Sequence, residues 1–260
     1  MDKQSPMKKL AVVTGGNTGI GRVLCLGFAK AGYAVAFSWH STPEMASSLV
    51  DEIERIGARA IAIECDAGVE DDVITFFDRV LDWFGQAPDV LVNNAGVQTW
   101  APLLELSGPD WERVIRTNLT GTFLNTREAG RRMVADRKPG SIINIGSGCN
   151  KVAFPKLVDY TASKGGIEQF TKVAAVELGP HGIRVNCVAP GAIINDRTRA
   201  ESPDYDGAWS RITPLRRVGT AEDIVGPVLF FAGEDSKFVT GQTLWVDGGV
   251  FTQANWPQEA

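Results

Sequence analysis

Short apolar runs alternate with amphipathic segments along nearly the whole chain, and this alternation restricts the fold more than any other feature. Leu10–Thr14, Ala34–Trp39, Arg59–Cys65, Val90–Val92, Ser141–Ile145, Arg184–Val188 and Thr243–Val246 each read as a short buried strand. Between them lie helical patterns: one running from a glycine-rich turn to about Ala31, then Pro43–Ile56, Val69–Phe84, a long one within Trp111–Asp136, Tyr160–Leu178 and Ala221–Ala232. Gly32, Gly57 and Gly85 stop the first three helices. The strands are apolar on both faces, as in a parallel sheet covered by helices on both sides. The expectation is an α/β, doubly wound, single-domain chain over residues 1–260, with a mostly parallel seven-stranded sheet. Residues 1–7 are polar and expected to be loosely held, 191–218 are less regular and placed to form a lid, and 251–260 form a polar tail.

Several function classes fall away on composition. A net charge of −5 argues against a nucleic-acid or anionic-membrane surface. No apolar run approaches the roughly 18 residues of a membrane span, and Thr14-Gly15-Gly16 ends the first run too early for a signal peptide. A cytoplasmic protein is expected. Cys25, Cys65, Cys149 and Cys187 lie far apart without a CxxC pair, so they read as reduced, mostly buried thiols. With His40 and His181 the only histidines, neither a metal centre nor a His-dependent hydrolase is expected.

The first turn, Gly15-Gly16-Asn17-Thr18-Gly19-Ile20-Gly21, joins a strand to a helix. Glycines there permit a tight turn and let backbone N–H groups approach a pyrophosphate at the helix N-terminus. The Gly-x3-Gly-x-Gly spacing departs from the usual dinucleotide fingerprint, and no Gly-Lys-Ser/Thr follows to make a P-loop. The second strand ends in Ser38-Trp39-His40-Ser41-Thr42, without the carboxylate that binds the ribose 2′-OH of NAD. Ser38, His40, Ser41 and Asn17 are candidate donors to a 2′-phosphate, yet no Arg or Lys supplies a positive clamp. NADP(H) is therefore preferred and NAD(H) remains possible. Asp66, with Ala67 beside it, reads either as an acceptor for the adenine amino group or as a cap for the helix at Val69. Asn93-Asn94-Ala95-Gly96 reads as a lock between strand ends lining a ribose, or as a turn. Pro190-Gly191-Ala192-Ile193 offers backbone to a carboxamide, or is loop punctuation.

The chemistry is expected between Ser147 and Lys164. Tyr160 and Lys164 are four apart and share a helix face, while Ser147 follows the apolar run Ile142-Ile143-Asn144-Ile145. A phenol beside a fixed ammonium has its ionised form stabilised and becomes usable as an acid or base. Taken alone, the pair also fits an ordinary surface Tyr/Lys.

Together these pieces resemble the short-chain dehydrogenase/reductase family, in its branch of about 250 residues, and the bacterial glucose-dehydrogenase-like members in particular. The likeness is carried by Thr14–Gly21, Asp66, Asn93–Gly96, Asn118, Ser147, Tyr160-x3-Lys164, Pro190-Gly191 and Val246-Asp247-Gly248-Gly249, in order. It implies a Rossmann-like fold, with Tyr160 as acid/base, Lys164 on the nicotinamide ribose, Ser147 on the substrate oxygen and Asn118 holding a water that links Lys164 to solvent. A homotetramer built on the helices carrying Asn118 and Tyr160 is also implied. Asn195 stands where many relatives have a carboxamide-binding Thr.

Cys149 and Asn150 after Ser147, with Gln98, Trp100, Lys151 and Trp209, suggest a pocket for a small polar molecule such as a sugar, polyol or keto-acid. The two tryptophans equally read as packing for a loop. The alternatives are a catalytically silent dinucleotide-binding regulator and a 3-oxoacyl thioester reductase. Epimerases are longer in their C-terminal part, and enoyl-reducing relatives space Tyr and Lys further apart.

Overall fold

The computed structural model describes residues 9–253. The expectations for 1–7, and for the tail beyond 253 including Trp256, lie outside the described residues.

Seven strands are formed where the apolar runs place them: β1 Leu10–Val13, β2 Ala34–Trp39, β3 Ala60–Glu64, β4 Val90–Asn93, β5 Gly140–Ile145, β6 Ile183–Pro190 and β7 Thr243–Val246. They pair in the order β3-β2-β1-β4-β5-β6-β7, every pair parallel. Side chains alternate across each strand, and the sheet sorts them into two cores. Ala11, Val13, Val35 and Phe37 join Leu24, Phe28, Leu49, Ile53, Val228 and Phe231 on one side. Leu10, Val12, Ala34 and Ala36 join Val73, Phe76, Phe77, Leu124 and Met133 on the other.

The first core is covered by α1 (Gly19–Lys30), α2 (Pro43–Arg55) and, from near the C-terminal end, α9 (Glu222–Ala232). The second is covered by α3 (Glu70–Phe84), α5 (Gly121–Ala135) and α6 (Val158–Leu178). In α3 the buried residues are Val73, Phe76, Phe77 and Val80, a spacing that lays one stripe along a helix.

Two local features depart from the expected pattern. The long helix expected within 111–136 starts earlier, as α4 (Gly108–Ile115), capped by Ser107 Oγ accepting from Asp110 N. It then passes through a single π-turn, Arg116–Thr120, before continuing as α5. The irregular stretch 191–218 contains two short helices, α7 (Asp196–Glu201) and α8 (Tyr205–Ile212).

In an open parallel sheet, ligands bind beyond the carboxyl ends of the strands where the strand order reverses. Here the reversal lies between β1 and β4. The turns after β1, β4, β5 and β6 all open on that end, and they hold Gly15–Thr18, Asn94–Gly96, Ser147 and Gly191–Ile193.

Candidate active site

The turn after β1 and the turn after β4 are knotted together. Thr14 Oγ1 accepts from the N–H groups of Asn94 and Ala95, both at 3.0 Å. In return Asn94 Nδ2 donates to the carbonyls of Thr14 and Gly15, each at 3.0 Å. Gly15 has φ +60°, and a Cβ on it would stand 3.0 Å from Ala95 Cα. A Cβ on Gly21 would lie 2.2 Å from the Gly15 carbonyl oxygen. By contrast, the position of a Cβ on Gly19, at the start of α1, meets nothing within 4 Å. A packed glycine turn with its open side at a helix N-terminus fits a pyrophosphate.

Two residues expected to face a 2′-phosphate are turned inward instead. Ser38 is 2% exposed and its hydroxyl accepts from Gly15 N at 3.1 Å, so it props the glycine turn. Asn17 spends its amide on the turn after β2, donating to Ser41 O at 2.7 Å and Thr42 Oγ1 at 2.9 Å. Thr18, next along the turn, precedes α1 as its N-cap residue. His40 and Ser41 are exposed. His40 lines a groove of about 300 Å³ with Glu64, Asp66, Asp72 and Thr75. Arg22, the nearest cation on α1, pairs with Glu52 at 2.9 Å and donates to Met45 O.

Asp66 makes a local turn, Oδ1 accepting from Gly68 N at 2.9 Å. The loop at Ala67 rests on α5, where a Cβ on Gly121 would lie 2.8 Å from the Ala67 oxygen. Asn93 is 5% exposed and donates to Asn144 Oδ1 at 2.8 Å and Thr126 Oγ1 at 2.9 Å. Asn144 in turn donates to Thr171 Oγ1 on α6 at 2.9 Å. The side chain of Asn93 thus locks β4 to β5 and α5, the first half of its expected role. Asn144 and Thr171 join the site beyond the expected residues, and the sequence signal for Asn144 is a polar residue inside the apolar run Ile142–Ile145.

Ser147 follows β5 and caps a single 3-10 turn, Gly148–Asn150. Its Oγ accepts from Cys149 N at 3.3 Å, and Asn150 Oδ1 accepts from Ser147 N at 3.2 Å. Asn150 therefore shapes the serine turn. Cys149 is buried, and burial pushes its thiol up against smaller opposing pulls from the Ser147 and Thr161 side chains and from the Lys164 charge.

Tyr160 and Lys164 lie in the first turns of α6. The Lys164 side chain is 4% exposed, with Nζ donating to Ile145 O at 2.7 Å and 5.4 Å from the centre of the Tyr160 ring. A nearly dry ammonium is thereby fixed to the end of β5, two residues before Ser147. Lys164 thus links the helix of Tyr160 to the strand end that leads into Ser147.

Asn118 is fully buried in the π-turn. Oδ1 accepts from Val97 N at 2.8 Å, while Nδ2 donates to Val97 O at 2.9 Å and to Ser163 Oγ at 3.0 Å. Ser163 Oγ donates to Tyr160 O at 2.7 Å. The amide side chain thus ties the loop after Gly96 to the helix of Tyr160. Its main-chain oxygen accepts from Thr122 Oγ1 at 2.7 Å.

The remaining expected residues divide. Gly191 N donates to Val246 O at 3.0 Å, just past the end of β6 at Pro190. Ile193 has its side chain in the core and pairs with Gly219. Asn195 caps α7, with Oδ1 accepting from Thr198 N at 3.0 Å, a use that Asn-x-x-Thr spacing signals. Gln98 lies between Val97 and Ala101, on the segment that bridges to Leu157 just before α6. Trp209 is half-buried among other rings, whereas Trp100 is 53% exposed. No cluster of three or more potential metal ligands occurs among the described residues. Among them also, no helix is long and apolar enough to cross a membrane.

Known proteins resemble the chain over nearly its whole length. A family model described as "Enoyl-(Acyl carrier protein) reductase" matches residues 15–251. The chain is 38% identical to the 3-oxoacyl-acyl-carrier-protein reductase FabG of Staphylococcus epidermidis, over 94% of this chain and 100% of that one. It is 39% identical to the corresponding enzyme of Staphylococcus aureus, over 94% and 99%. Among solved structures, a gluconate 5-dehydrogenase from Burkholderia cenocepacia, in complex with NADP and tartrate, superimposes with a TM-score of 0.89 at 33% identity, covering 95% of this chain and 96% of that one. An acetoin dehydrogenase from Enterobacter cloacae gives a TM-score of 0.89 at 34% identity, covering 98% and 100%. By its family model, its relatives and its fold, the chain belongs to the short-chain dehydrogenase/reductase family of NAD(P)-binding oxidoreductases.

Proposed function

We propose that this chain reduces the carbonyl, or oxidises the corresponding alcohol, of a small polar substrate such as a sugar, polyol or keto-acid. The observation that carries the reading is Lys164, buried, anchored on Ile145 O and set 5.4 Å from the Tyr160 ring centre. When bound, the nicotinamide supplies the hydride. The protein's part is orientation and proton transfer. Ser147 Oγ, at the end of β5, holds the substrate oxygen. Tyr160 gives that oxygen its proton in reduction and takes it back in oxidation. The Lys164 ammonium favours the phenolate electrostatically, in surroundings where little water screens it. Asn118 positions this pair through Ser163 and Val97, and the water expected beside it is assigned to its main-chain oxygen.

The glycine turn, Asp66, Ala67, Asn93–Gly96 and Pro190–Ile193 would hold the dinucleotide. NADP(H) is the preferred cofactor, because Trp39, His40, Ser41 and Thr42 present no carboxylate to a 2′-phosphate. The preference is modest and leaves NAD(H) open as a second cofactor. Asn17 and Ser38 are engaged elsewhere, and Glu64, Asp66 and Asp72 line the groove beside His40.

A one-turn Tyr160–Lys164 spacing favours carbonyl over enoyl reduction. Reduction of a 3-oxoacyl thioester is the second reading, favoured by the identity to the staphylococcal reductases. Exposed Phe123 on α5 and Val173 and Val176 on α6 favour a homotetramer joined through those helices. A reducing, cytoplasmic setting accords with four free, buried cysteines.

The test is turnover on a panel of sugars, uronates, keto-acids and 3-oxoacyl thioesters with NADPH and NADH side by side. Turnover of a polar carbonyl, faster with NADPH, supports the proposal. Turnover of thioesters alone transfers it to the second reading, and tighter use of NADH overturns the cofactor preference.

A further inference from the structure

Aromatic rings from three separate parts of the chain gather against the turn that carries Ser147. Phe154 comes from the loop between that turn and α6, Tyr205 and Trp209 come from α8, and Phe251 follows β7. Phe154 and Phe251 meet edge to face, with centroids 5.6 Å apart at 87°. Trp209 stands 6.3 Å from Phe154 and 6.4 Å from Phe251, closing a triangle, and Tyr205 abuts it at 6.2 Å. These are separations at which aromatic pairs attract one another.

One corner of the triangle rests on the chemistry itself. A Cβ on Gly148 would lie 2.1 Å from Phe251 Cε2 and 2.5 Å from Cζ. The ring edge is therefore in contact with the main chain of the residue directly after Ser147, where only glycine leaves it room. Hydrogen bonds hold the same segments: Gln253 Nε2 donates to Ile212 O at 2.6 Å, and Leu215 N to Gly248 O at 3.2 Å. Phe251 N donates to Asp247 Oδ2 at 3.2 Å. Lid helix, C-terminal segment and serine turn are thus joined through one set of rings.

We propose that Phe154, Trp209 and Phe251 form the specificity wall of the substrate site. They admit a compact carbonyl compound whose C–H faces pack on the rings, and they shut out a substrate with a long alkyl arm. The inference rests on the carbonyl-reductase reading and deepens it. A carbonyl oxygen held by Ser147 has its carbon substituents close to Gly148, where the ring edge already sits. An arm continuing toward Phe251 must break ring contacts on two sides, whereas a compact molecule need not.

The experiment compares ethyl acetoacetate with its homologue carrying six more methylenes, using the full-length chain with saturating NADPH. The proteins are wild type, Phe154→Ala, Trp209→Ala and Phe251→Ala, with Tyr160→Phe as control. Because the three rings come from separate segments, a folding defect in one variant leaves the other two to decide. Wild type is expected to favour the short ester in kcat/KM by about tenfold or more, and the alanine variants to bring that ratio toward one. A purely structural role would lower both rates together and leave the ratio unchanged. The proposal is overturned if wild type takes both esters alike, or if the ratio stays fixed in every folded variant. Undiminished turnover by Tyr160→Phe would bring down the reductase reading beneath it, a result distinct from an unaltered ratio.

Discussion

Replacing Asn118 by Ala should destabilise the protein and misplace the helix of Tyr160, because the side-chain hydrogen bonds of Asn118 run to Val97 and Ser163. The amide makes three hydrogen bonds in a position with no exposure. Its removal strands the N–H and the carbonyl of Val97, while Ser163 Oγ keeps its bond to Tyr160 O. A buried polar group left without a partner costs about 1–3 kcal/mol, and less where water reaches it, as at half-buried Val97. Two such groups, less what a water entering the vacated space recovers, give roughly 3 kcal/mol. For a chain of this size each kcal/mol moves the unfolding midpoint by about 2–4 °C. Thermal unfolding of wild type and Asn118→Ala, at one fixed protein concentration, should therefore show midpoints about 6–12 °C apart. In parallel, kcat/KM should fall more steeply than NADPH affinity, because the π-turn faces α6 rather than the glycine turn. A midpoint within about 1 °C of wild type, with kcat/KM unchanged, would refute the assignment of this amide as the tie between Val97 and α6.

Other outcomes follow from the same structure. Gly21→Ala should abolish cofactor binding or folding, since its Cβ would stand 2.2 Å from the Gly15 oxygen; tryptophan quenching by NADPH reports the loss. Burial pushes the thiols up, Cys65 to about 12 and Cys187 to about 11. Dithionitrobenzoate at pH 8 should accordingly react slowly with the native protein and with all four cysteines after denaturation. A bond from Arg217, 2.7 Å to each oxygen, holds the Asp223 carboxyl down to about 2. A lowered value in the folded state means a contribution present above the ordinary 3.8 and lost as pH falls toward 2. The midpoint difference between wild type and Asp223→Asn should thus be constant at neutral pH and fade below about pH 4.

The strand and helix framework was legible because the strands are short and apolar, and the first three are each followed by an amphipathic stripe that a glycine stops. The pairing of Lys164 with the Tyr160 ring and with the end of β5 was legible for a similar reason: strand end and helix start are fixed by the alternation, and four residues make one helical turn. Features that depend on what lies across the fold were less visible. Ser38 and Asn17 read as ligand donors because a hydroxyl and an amide at a strand end have no evident partner in one dimension; the structure supplies Gly15 and Thr42. The π-turn at Arg116–Thr120 leaves no composition signal beyond an Asn within a helix. The helices at 196–201 and 205–212 are short, polar and held by a local cap and by rings from distant segments, so no apolar period announces them. The triangle of Phe154, Trp209 and Phe251 unites residues 97 positions apart at its extremes, and no local pattern encodes it.

The central claim is that Tyr160, supported by Lys164, moves the proton for a hydride transfer. The most direct measurement is kcat/KM for the best substrate of the panel in wild type and Tyr160→Phe, with NADPH affinity measured on the same samples by quenching of the seven tryptophans. The account predicts a fall of about 10²–10⁴-fold in kcat/KM with cofactor affinity nearly unchanged. Turnover retained within a few-fold, with NADPH bound as tightly as before, would contradict it.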